Sequence, residues 1–142
     1  MSLTITRLTA ETLTPHFLTT LAALSEPNLS VAEALPLLAE RDEQGTITFI
    51  ALRNDVVVGT VSLFVEVKFL HAGGLVGHIE DLAVHPDAQG QGIGRALMEH
   101  VKQLAIDRGC YKIILSSNEG NTAFYEKFGF HRHEIEMRFD CL

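Results

Sequence analysis

The sequence predicts a single α/β domain with a mixed, mostly antiparallel sheet flanked by helices. Segments rich in β-branched and aromatic residues alternate with segments whose apolar residues recur every three or four positions. One glycine-rich loop joins a strand directly to an amphipathic helix. No composition shift, linker, repeat or low-complexity stretch divides residues 1–142, and a chain of that length that is 46% hydrophobic can bury one core of ordinary size.

Residues 3–8 alternate and read as a strand, and Leu13, Phe17, Leu21 and Leu24 follow at helical spacing. Ser30 with Glu33 three positions on makes a capping box, which predicts a helix over residues 30–41. Pro36 lies inside it and argues against that helix, because proline removes an N–H and crowds the preceding turn. Residues 46–53 and 56–70 flank Asn54-Asp55 and predict a hairpin with a long second arm. After Gly73-Gly74, residues 78–84 read as a strand and 85–92 as a loop. Ile93, Leu97, Val101 and Leu104 mark the main helix, and Gly109 is its left-handed stop. Residues 111–115 are then a strand, 121–128 a short helix ended by Gly129, and 130–139 one or two closing strands.

Eleven Lys and Arg against eighteen Asp and Glu leave a net charge of −7, which disfavours the cationic surface that nucleic-acid backbones require. A small anionic ligand stays open, since a few backbone N–H groups bind phosphate without net positive charge. Cys110 and Cys141 sit in no CxxC pattern and read as reduced thiols, Cys110 as a buried structural one. The histidines offer no metal set: His131 and His133 flank an Arg, and no His-x-x-x-His helix exists. The start of the chain lacks the basic segment and apolar run of a signal peptide, so a cytoplasmic protein outside the membrane is expected.

The strongest signal is Gln89-Gly90-Gln91-Gly92-Ile93-Gly94-Arg95, where alternating glycines stand at the junction of loop and helix. Helix N-termini leave N–H groups unpaired, and glycine lets the main chain approach a ligand at positive φ, so this corner suits a diphosphate. It lacks the Gly-Lys-Ser/Thr ending of a Walker loop, and Arg95 stands where the third Rossmann glycine belongs.

The pattern Gln-x-x-Gly-x-Gly at Gln89, Gly92 and Gly94, after a strand and before an amphipathic helix, resembles that of the GNAT acyl-CoA N-acetyltransferases. The segments GHIEDLAV from Gly77, GCYKIIL from Gly109 and FYEKFGF from Phe124 are similar to those of glucosamine-6-phosphate N-acetyltransferases, as is the stretch from Gly59 to His71. The resemblance covers roughly residues 56–139. It implies acetyl transfer from acetyl-CoA to a primary amine by direct attack in a ternary complex. Gly90 to Arg95 would wrap the diphosphate, with Gln89 in the same motif, and the main chain of Leu82, Ala83 and Val84 would pair with the pantetheine arm. Asn121 and Tyr125 lie four apart and would face the cofactor, Tyr125 as general acid to the departing thiolate.

An amine must lose its proton before attack, and Glu80 and Asp81 are the carboxylates placed to accept it. Neighbours on a regular strand point to opposite faces, so only one of the two is expected to face a given site directly. By resemblance, Lys68, His71, Glu80, Asp81, Tyr111 and Lys112 border an amino-sugar pocket. Two positions depart from the family: Ser116 replaces an acidic residue, and Asp140 replaces a phosphate-binding Arg that Arg138, two residues away, would have to stand in for.

The resemblance nonetheless implies glucosamine 6-phosphate as the leading acceptor. The alternatives are another small amine, a peptide amine, or a noncatalytic acyl-CoA-binding module. Glu80, Asp81 and Tyr125 together argue against the last. The resembling family pairs through its C-terminal strands, and here Ile135, Met137 and Phe139 alternate with Glu136, Arg138 and Asp140, so a homodimer is expected.

Overall fold

The computed structural model describes residues 2–142. Five strands form one sheet in chain order: β1 (Leu3–Arg7), β2 (Thr46–Arg53), β3 (Val56–Val67), β4 (Leu75–Val84) and β5 (Cys110–Ile114). The first four pair antiparallel, and β5 runs parallel to β4. Helices α1 (Pro15–Leu21) and α2 (Val31–Glu43) precede the β2–β3 hairpin, a single turn α3 (Leu70–Gly73) links β3 to β4, and α4 (Ile93–Asp107) and α5 (Thr122–Glu126) flank β5.

Local chemistry explains the helix ends. Thr14 Oγ1 accepts the Phe17 N–H at 3.3 Å and Pro15 opens α1, where its missing N–H costs nothing. Ser30 and Glu33 exchange both hydrogen bonds of a capping box, at 3.1 and 3.0 Å. α2 runs through Pro36 to Glu43 because that cap and the packing of Ala34 and Leu38 outweigh one lost bond.

Alternation along the strands divides the core. Ile47, Phe49, Ala51, Val61 and Leu63 meet Ile93, Leu97, Met98, Val101 and Ala105 of α4. On the opposite face, Ile50 and Val57 pack with Leu13 and Phe17 of the α1 region and Ala34 of α2. No helix among the described residues is long and apolar enough to cross a membrane.

The departures from the sequence reading that matter for the site lie at β3, β4 and the C-terminus. β3 stops at Val67, not at residue 70: the Lys68 N–H donates to the Gly74 carbonyl at 2.8 Å, and His71 and Ala72 turn left-handed at φ 55° and 56°, which folds the chain back. β4 consequently starts at Leu75, three residues early. Residues 130–142 form no strand: Ile135, Met137 and Phe139 are 86%, 87% and 88% exposed. Their alternation is real, but a strand needs a partner, and none of the five strands among the described residues pairs with this segment.

Candidate active site

β4 and β5 begin paired at Leu75 and Cys110 and separate after His78 and Ile114. The remaining six residues of β4, Ile79 to Val84, thus keep a free backbone edge on that side. Into the gap come the residues after β5 and the α5 region, and a cleft of about 260 Å³ is lined by Ile79, Glu80, Asp81, Leu82, Leu115, Ser116, Ser117, Asn118, Asn121, Tyr125 and Leu24. Asn118 Oδ1 accepts the Asn121 N–H at 3.0 Å and sets the start of the short helix.

Glu80 and Asp81 both line this cleft, which corrects the expectation that only one of two neighbours would. The register of β3 against β4 slips here, with Thr60 opposite Ala83 but Ser62 opposite Glu80. Asp81 takes φ 54°, and the bulge breaks the alternation so that consecutive carboxylates are exposed on one side. Partial burial and then the charge of Asp81 push the Glu80 carboxyl above the usual range, His78 opposes this, and Glu136 adds to it. The group accordingly holds a proton more readily than a free glutamate does. The Tyr125 phenol is also raised, by burial alone, and so stays protonated as a donor needs. Its ring is wedged edge-on against Phe124 and Phe130, at 5.2 and 6.5 Å between centroids.

The glycine loop sits at the C-terminal end of β4. It is anchored by His85, which is buried, donates its N–H to Val58 at 2.8 Å, accepts the Asp87 N–H on Nδ1 at 3.2 Å, and stacks on His16 at 4.1 Å. Gly90 and Gly92 both take φ 78°, and a Cβ on either would meet nothing within 4 Å, so the loop presents bare backbone to open space. Gly92 caps α4, whose first N–H groups have no helical partner. Gly94 faces Val84 and Phe124 at 3.7 and 3.6 Å from a would-be Cβ, so the first turn of α4 packs between the end of β4 and α5. A diphosphate and an extended arm fit this cradle and free edge. Ala83 is 4% exposed, so it can offer only main chain, and Arg95 is paired with Glu99 at 3.0 Å.

The other expected substrate contacts lie elsewhere. Lys68 pairs with Glu66 at 3.1 Å, and His78 holds the same carboxylate at 2.9 Å; these bonds, His78 first, lower the Glu66 carboxyl. His71 stacks on Tyr111 at 3.9 Å, with Lys112 Nζ 5.8 Å from the Tyr111 ring. Tyr111 stands beside the start of β4, five residues and roughly 16 Å of strand from Glu80. Arg138 forms an exposed ion pair with Asp140 at 2.7 Å and is absent from the cleft lining. Cys110 lies at that far end too, half-buried where the sequence reading expected a buried thiol, packed near Gly77 and raised by its partial burial.

Leu24, Ser117 and Asn118 are cleft residues the sequence reading missed. An Asn three positions before Asn121 is a capping signal that was legible. Leu24, grouped by spacing with the first helix, instead lies beyond its end and is 54% exposed.

Residues 13–130 match the family model described as "Acetyltransferase (GNAT) family". The chain is 40% identical over 116 residues to the glucosamine 6-phosphate N-acetyltransferase of Trypanosoma brucei brucei, an alignment covering 80% of this chain and 79% of that one. Its fold superposes on a crystal structure of a Trypanosoma brucei acetyltransferase with TM-score 0.91 and 37% identity, over 98% of this chain and 99% of the other. The glucosamine-6-phosphate N-acetyltransferase of Arabidopsis thaliana gives 0.92 and 25% identity, over 99% of both chains.

Proposed function

Because the chain belongs to the acetyltransferase (GNAT) family, we propose that it transfers acetyl from acetyl-CoA to the amine of glucosamine 6-phosphate. One observation carries the reading: Glu80 of β4 and Tyr125 of α5 line a single cleft, and the glycine cradle follows directly from the C-terminal end of the same β4. Acetyl-CoA supplies an activated thioester.

The chain's own groups do the rest. The free edge at Leu82, Ala83 and Val84 binds the pantetheine amides, residues 89–95 hold the diphosphate, and Asn121 faces the arm. Glu80, with its raised proton affinity, takes the ammonium proton directly or through water, and Asp81 draws the cationic amine in. Tyr125 donates its phenolic proton to the departing thiolate. No side-chain nucleophile is required.

Lys68, His71, Tyr111 and Lys112 stand too far from Glu80 in one chain to share its acceptor, so in this reading they come from a second copy. We therefore include a homodimer, formed where the apolar alternation of residues 135–139 meets the free outer edge of β5. Light scattering at micromolar concentration that shows only the single chain mass rejects it. Unpaired Cys110 and Cys141 suit a reducing compartment, and the reading places the enzyme in the cytoplasm.

The deciding experiment measures CoA release with a panel of amino sugars, polyamines, amino acids and peptides. Glucosamine 6-phosphate should turn over fastest, and, with the second copy also bringing its C-terminal segment to the pocket, Arg138→Ala should raise its KM while leaving unphosphorylated amines alone. An inert sugar phosphate beside an active cationic amine would show that Asp140 has redirected the pocket.

A further inference from the structure

The cradle at residues 90–94 offers backbone dipoles, but its own cation, Arg95, is already paired with Glu99. A second guanidinium reaches the loop from a distant part of the chain. Arg53 ends β2, where the alternation Ile47, Phe49, Ala51 carries its side chain to the face covered by α4. There its Nη1 donates to Oε1 of Gln91, the residue between the two positive-φ glycines. Its Nε is buried without a hydrogen-bond partner, and among the described residues Arg53 forms no ion pair with a carboxylate.

A buried unpaired donor is costly even on a half-exposed side chain, and a neutral amide is a weak partner for a guanidinium. In a chain of net charge −7, both point to an anion. The end of the sheet agrees. Val84 of β4 lies opposite Gly59, and Arg53 opposite Val56, so the β2–β3 hairpin stands at the edge past which an arm laid along β4 would emerge.

We infer that Arg53 binds a phosphate at the nucleotide end of acyl-CoA, the phosphate oxygen taking the place of the Gln91 side chain. This rests on the acyl-CoA reading of the loop. Arg53 is then a cofactor-affinity residue, outside the chemistry at Glu80 and Tyr125.

Calorimetry of the full chain with CoA and with 3′-dephospho-CoA tests it. R53Q should weaken CoA binding by about tenfold to a hundredfold, the range for a lost charge-assisted contact. It should also flatten the salt dependence, and R53K should recover part of the loss. A loss confined to CoA assigns the 3′-phosphate, and an equal loss with both ligands assigns the diphosphate. The same loss is expected in a Gln91→Ala background; its disappearance there would reduce Arg53 to a prop for Gln91 and overturn the inference. Wild-type affinity in R53Q overturns it too. If R53Q melts early, R53K carries the test: a partial loss of affinity with the salt dependence retained supports the inference, and full wild-type affinity overturns the guanidinium contact. Failure of the wild type to bind CoA would instead sink the acyl-CoA reading itself.

Discussion

α4 can aim its N-terminus at the cleft only because β3 lets it come close at Gly59. A Cβ there would lie 2.7 Å from Ile93 Cγ2, 2.9 Å from Leu97 Cδ1 and 3.3 Å from the Ala83 carbonyl oxygen. Carbon pairs prefer about 3.5–4.0 Å, so Gly59→Ala must push the first turns of α4 outward by about 1 Å. Ile93 and Leu97 are 1% and 0% exposed, so neither side chain can swing out into solvent. Overpacking of this kind costs about 1–3 kcal/mol. At roughly 3 °C per kcal/mol for a chain of this size, Tm should fall by about 3–10 °C. Ile93 directly follows loop residue Gly92, so the same displacement should weaken CoA binding in calorimetry. A double-mutant cycle isolates the cause. Leu97→Ala alone should cost about 2–5 kcal/mol, but the methyl introduced by Gly59→Ala fills part of the space it leaves, so the double variant should cost less than the sum by more than about 0.5 kcal/mol. An unchanged Tm for Gly59→Ala, or strict additivity, would refute this account of how the helix is placed.

Gly92→Val forces a β-branched residue to φ 78° and into the open cradle; about 1–3 kcal/mol of stability should go with most of the CoA affinity, and calorimetry matching wild type would contradict the loop assignment. Tyr125→Phe should lower kcat by about 10²–10⁴ while acetyl-CoA affinity stays close to wild type; a wild-type kcat removes the general acid. For Glu80, a carboxyl raised in the folded state binds its proton more tightly there than in the unfolded chain, so it favours folding at low pH and disfavours it as pH rises through the folded value. Glu80→Gln should therefore gain on wild type in urea melts at neutral pH and lose that advantage below the ordinary carboxylate range; in kcat/KM, its deficit should be largest where the wild-type carboxylate is ionised and should shrink on the acid side as that carboxylate takes up its own proton. The reverse order in the melts would mean the carboxyl is not raised.

Most of what positions the site was local, and local signals are legible in a sequence. The capping box at Ser30, the hairpin turn at Asn54-Asp55 and the glycine stop of α4 each act within a few residues, so they read correctly without knowledge of the rest. The loop at residues 89–95 belongs with them, because unpaired N–H groups and positive-φ glycines are properties of its own backbone. What tertiary structure alone decided was anything that depends on a neighbour strand. The bulge that turns Glu80 and Asp81 to one side comes from the slip of β4 against β3, and the cleft comes from β5 ending while β4 runs on. Alternation at residues 135–139 predicted a strand, but hydrogen bonding is a property of a pair, and within this chain that segment has no strand to pair with. The reach of Arg53 to Gln91, across 38 positions, was equally invisible, since it exists only where the sheet and α4 bring two distant ends of the chain together.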